Sequence, residues 1–221
     1  MNPTNSNLVS ITIYITCFVV FFICTLYIWI LAKKNEAINQ FKWLIISLFV
    51  CWFTAALFIS FQSEVSFAGL ILIFLPICFG LLLTFINPIK LILTVIPIHW
   101  LIYLQVYRVA GFVFVYLYFT KNFLTKGFAF NAGFGDIITG LAAIFTGYLV
   151  QKKYFNFKLF AICWNIFVIV DLIVAPLSAA YFGAKGLNTF PLIVIPFLLG
   201  PPLGILLHIC CLRSLYLQKS R

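Results

Sequence analysis

Acidic residues are nearly absent from this chain: four Asp and Glu stand among 221 residues, against fourteen Lys and Arg. Charged side chains of both signs together make up 8%, where a soluble domain carries roughly a quarter. So few charges cannot solvate the surface of a domain this long, which excludes an ordinary water-soluble protein. The seven cysteines contain no CxxC pair and all fall inside or at the ends of apolar runs, which excludes a disulfide framework and reads as packing. No HExxH or GxSxG motif occurs, so the common zinc-hydrolase and nucleophile-elbow enzymes find no support. Every lysine lies in or beside a polar connection, which excludes a retinal Schiff base within a helix.

What the sequence has instead is hydrophobicity, at 65% of residues, in runs of helix-spanning length. The pattern predicts an all-α polytopic membrane bundle with seven transmembrane helices at about 8–32, 43–62, 67–86, 91–119, 131–150, 158–181 and 190–212. The connections are short, so 1–221 reads as a single transmembrane domain. The net charge of +10 falls in small clusters between runs, which suits anionic lipid headgroups and excludes a nucleic-acid partner. With the N-terminus outside, the inner segments hold ten Lys and Arg and the outer segments three, leaving Arg108 on neither side. Basic residues are retained on the cytoplasmic side, which places the C-terminus in the cytoplasm.

Arg108 lies in LIYLQVYRVAGFVFVYLYF, eleven residues from the expected outer end of span four. Asp171 lies ten residues from the outer end of span six, at nearly the same depth, and Asp136 five residues into span five. A lone charge at the bilayer centre costs about 3 kcal/mol or more, and arginine does not readily lose its proton. The economical arrangement therefore pairs Arg108 with Asp171, with Asp136 as a second partner or a gate on the outer side. Gln105 joins from the same side of span four. In span five Gly133, Asp136, Gly140, Ala143 and Gly147 form one stripe at 100° per residue, which turns Asp136 toward packed protein.

Two histidines and a proline-rich last span complete the polar inventory. Pro201 and Pro202 fall in the middle of the expected span seven, where they either break the helix beside a site or simply kink it. His99 and His208 have matching depths and are the weak candidates for a haem or metal. Nine residues of straight helix, however, put His99 opposite Arg108. No metal site and no cofactor are expected.

The segments QVYRVAGFVF, FAFNAGFGDIITGLAA, WNIFVIVDLIVA and FPLIVIPFLLGPPLGILLHICCLRSL resemble a family of uncharacterised bacterial multi-pass membrane proteins, over residues 97–215. The resemblance implies placement in the bacterial inner membrane and no particular activity. The residues themselves suggest transport or sensing of a small solute or ion, with proton-linked transport one form of it. The candidate site is Arg108, Asp136, Asp171, Gln105 and His208, between spans four to seven. The alternatives are a haem-binding redox protein through His99 and His208, and a structural or assembly subunit without chemistry.

Overall fold

A computed structural model describes residues 3–60, 75, 77–121, 124–183 and 200–219, and no strand occurs among them. Helices α1 (Pro3–Lys34) and α2 (Glu36–Ser60) form a hairpin turning at Asn35. There follow α3 (Asn87–Val95), α4 (Ile98–Tyr103), a 3₁₀ stretch (Leu104–Gly111), α5 (Phe112–Lys121), α6 (Lys126–Gln151), α7 (Phe157–Phe182) and α8 (Pro201–Lys219).

Among the described residues five helical segments are long and apolar enough to cross a membrane, where the sequence predicts seven: Ile11–Lys34, Ile38–Ala55, Ile98–Thr120, Lys126–Gln151 and Phe157–Phe182. The expected third span lies largely outside the described residues, as do positions 190–199 of the seventh. The rest of that span belongs to α8, whose 19 residues run on past the expected end at 212 to Lys219, and His208, Arg213, Ser214 and Gln218 dilute its apolar character.

Three boundaries differ from the sequence reading for identifiable reasons. Span four does not run unbroken from 91, because Ile96 and Pro97 are extended. Proline lacks the amide donor and disfavours helix in the residue before it. The crossing segment therefore starts at Ile98, with α3 a separate helix. Span five starts at Lys126, five residues earlier than expected, because Thr125 is already extended and the helix runs straight on from it. Pro201 and Pro202 occupy the first positions of α8, where a missing donor breaks no helical bond.

Helix α6 is the centre of the fold, packing on α4, the 3₁₀ stretch, α5 and α7. Its small residues make this possible: a Cβ at Gly140 would stand 2.7 Å from the Val109 backbone nitrogen, and one at Gly133 2.6 Å from the Val115 side chain. The opposite face carries exposed Ile138, Leu141 and Phe145. Large apolar groups turned outward on a crossing helix suit lipid rather than water.

The basic residues gather at one end. Ala32 and Ile38, flanking the α1–α2 turn, pack on Ile92 of α3, so Lys33, Lys34, Lys42 and Lys90 share that end. Lys42 lies over the Trp29 ring at 4.8 Å, and α8 joins through Ser214, whose hydroxyl donates to the Leu93 carbonyl at 2.7 Å. Ile98, Val150 and Phe157 pack in one cluster, which brings the Lys152–Lys158 turn to the same end. At the opposite end Thr125 donates to the Gly183 carbonyl at 2.7 Å.

Candidate functional site

The site begins with a local irregularity. Residues 104–111 wind as a 3₁₀ helix, eight residues long, where such runs seldom exceed about four. At 3.0 residues per turn, positions three apart lie directly above one another. Gln105, Arg108 and Gly111 thus form one row, and they are the buried residues of the stretch. In an α-helix the same three side chains would fan out by about 60° per step. The straight-helix phasing that set His99 opposite Arg108 does not hold through this segment.

Arg108 is 4% exposed and engages two acids with one edge of its guanidinium. Nε donates to Asp136 Oδ1 at 2.8 Å and Nη2 to the same oxygen at 2.5 Å. Nη2 also donates to Asp171 Oδ2 at 2.6 Å. Asp136 is therefore a direct partner with the larger share of the contact, rather than a gate above an Arg108–Asp171 pair. The earlier start of α6 explains this: Asp136 lies ten residues beyond Lys126, and Asp171 eleven before Phe182. At 1.5 Å per residue both are about 15 Å from the same end.

Small residues let the acids in. Gly111, at the end of the buried row, lies against Asp136, and Gly135 lies against Asp171; a Cβ at either position would overlap the carboxylate side chain. Beside the triad a cavity of about 30 Å³ is lined by Thr12, Thr16, Tyr107, Arg108, Gly111 and Asp136. That is space for water or a small ion. A larger space of about 440 Å³ adjoins it through Thr16, Tyr107 and Ala110, but its remaining lining is mostly apolar and suits a hydrocarbon chain.

Gln105 and His208 belong to a second buried polar group. Gln105 is 1% exposed; its Nε2 donates weakly to the Gly204 carbonyl at 3.4 Å, and its Oε1 has no hydrogen-bond partner among the described residues. One turn further along α8, His208 is also 1% exposed, with Nδ1 2.7 Å from Asn165 Oδ1 and its ring 5.1 Å from that of Trp164. Asn165 Nδ2 donates to the Ala161 carbonyl at 2.7 Å and to Cys211 Sγ at 3.3 Å. His208 Nε2 and Arg108 Nη1 have no hydrogen-bond partner among the described residues.

His99 packs instead beside Trp100 and Tyr103, and no ring contact joins it to His208 among the described residues. Nor does any group of three His, Cys, Asp or Glu suited to a metal occur among them. Asn165 escaped the sequence reading because it is uncharged. Its place six residues before Asp171, inside an otherwise apolar run, was the available signal. Gly111 and Gly135 were missed because their importance lies in what stands opposite them.

A family model described as a domain of unknown function (DUF8737) matches residues 65–216, and the chain belongs to that family. The match starts well before the segment at 97 where the sequence resemblance begins, and takes in the expected third span. Neither a curated protein nor a solved structure matches the chain significantly.

Proposed function

We propose that this member of the DUF8737 family moves or senses a small ion or solute across a membrane, in a proton-linked manner, at the Arg108–Asp136–Asp171 triad. Gln105 and His208 lie beside it. The observation that carries the reading is the imbalance of the buried charges: one guanidinium faces two carboxylates. A purely structural pair needs one acid per cation. A second acid leaves an excess negative charge that only a proton or another cation can cancel, and ionisable groups inside a membrane mark routes for such species. The cavity touching Arg108 and Asp136 gives a small species a place to stand. In this reading the chain crosses seven times with its N-terminus outside, its basic end facing the cytoplasm, in a bacterial inner membrane.

The test uses the protein reconstituted in vesicles with a trapped pH indicator and an imposed gradient. Wild type should acidify the interior, and Asp171→Asn should be folded but inactive. Flux equal to that of empty vesicles would overturn the reading and favour a structural ion lock, in which the triad only fixes which helices meet.

A further inference from the structure

His208 has a definite proton arrangement, readable from its neighbours. Asn165 Nδ2 points at the Ala161 carbonyl, which can only accept, so the atom there is the amide nitrogen and the atom facing His208 is the amide oxygen. An oxygen acceptor 2.7 Å from Nδ1 requires the proton on Nδ1. In the neutral ring the other nitrogen, Nε2, then carries a bare lone pair. That atom is buried and has no partner among the described residues. A buried acceptor left unmet costs about 1–3 kcal/mol, so a group kept in that state calls for a purpose.

Electroneutrality supplies one. Trp164 and Asn165 beside His208 are neutral, and the charges of the triad lie beyond Gln105. Gln105 stands between, one turn from Arg108 and bonded to Gly204, one turn before His208. Counted together, Arg108, Asp136, Asp171 and His208 are neutral when they hold one proton beyond the guanidinium and the Nδ1–H. With that proton on a carboxyl, the set is one cation, one carboxylate, one neutral acid and a neutral imidazole. With it on Nε2, the set is two cations and two carboxylates.

We propose that Arg108, Asp136, Asp171 and His208 share a single exchangeable proton, which passes between a carboxyl oxygen and His208 Nε2. This deepens the reading above and rests on it, naming the proton as the coupled ion. In the transfer the O–H bond of the acid breaks and its electron pair stays on oxygen, while the Nε2 lone pair forms the new N–H. The imidazole becomes imidazolium, the acid becomes carboxylate, and the total charge stays at zero.

The chain has two histidines, so ¹⁵N-histidine labelling of wild type and His99→Gln protein in lipid nanodiscs isolates the His208 ring. At neutral pH it should show Nδ1 protonated and Nε2 bare. Infrared difference spectra should show a protonated-carboxyl band that disappears in both Asp136→Asn and Asp171→Asn. A neutral ring with its proton on Nε2, or no carboxyl band in the wild type, would overturn the proposal. In the vesicle assay His208→Gln should keep the carboxyl band and lose acidification; acidification at the wild-type rate would also overturn it. Wild-type vesicles that never acidify, with both spectra as expected, would sink the transport reading and support the shared proton.

Discussion

Gly135 of α6 and the Asp171 carboxylate of α7 occupy adjoining space so closely that a methyl group on Gly135 would overlap Oδ1. The glycine is what allows Asp171 to reach Arg108 Nη2. Gly135→Ala should therefore push the carboxylate off the guanidinium and cost about 1–3 kcal/mol, the usual range for overpacking. Repeating the substitution in Asp171→Ala protein removes the obstacle, and the cost should fall to a few tenths. Thermal unfolding of the two single variants and the double variant in detergent measures the coupling. Equal costs in both backgrounds would show that Gly135 does not hold the acid in place.

The two acids should differ in what their loss does. Asp136 accepts from both Nε and Nη2, whereas Asp171 accepts from Nη2 alone. Asp136→Leu leaves Arg108 paired with Asp171 but strips two of its three charged bonds, at about 1.5–3 kcal/mol each, and should cost the more. Asp171→Leu removes one bond and should cost about 1.5–3 kcal/mol. Replacing all three residues by leucine should recover much of the stability, as apolar replacement of buried ion groups often does. Unfolding curves for the three proteins check the order. A larger loss for Asp171→Leu than for Asp136→Leu would contradict it.

The helical class, the long apolar helices and the meeting of Arg108 with the two acids were legible in the sequence, the last because burying charge among apolar helices is so costly that few arrangements are tolerable. The partition of the contact was not legible. It depended on where α6 begins, and a five-residue shift in that start moves Asp136 by about 7 Å. The 3₁₀ winding was hidden for a different reason: LQVYRVAG is compatible with an α-helix locally, and its close packing on Gly133 and Gly140 of α6 is a tertiary contact that local sequence does not encode. The break at Pro97 could have been read directly, since a proline inside a predicted span marks its most probable boundary.

Topology is open to a direct check. The turns carrying Lys33, Lys34, Lys42, Lys90 and the Lys152–Lys158 segment share one end of the fold. The proposed topology, with that end in the cytoplasm, predicts that a reporter fused after Arg221 is active only inside, and one before Met1 only outside. Finding both termini on the same side would mean an even number of crossings and would rule out seven.

Gln105 separates a site kept for function from one kept for stability. Its side chain is almost fully buried, makes one long bond to the Gly204 carbonyl, and has an Oε1 without a partner among the described residues. A buried amide satisfied so poorly is a net burden of about 1–3 kcal/mol, and an apolar side chain of similar volume relieves it. Gln105→Leu should therefore leave thermal stability unchanged or raised. If Gln105 lies on the path between the triad and His208, the same substitution should slow vesicle acidification at least tenfold, because leucine can neither bond a proton carrier nor hold a bridging water. The two measurements are made on one protein, so a folding defect cannot pass for a functional one. A stability loss of several degrees with flux unchanged would assign Gln105 to helix packing and remove it from the route.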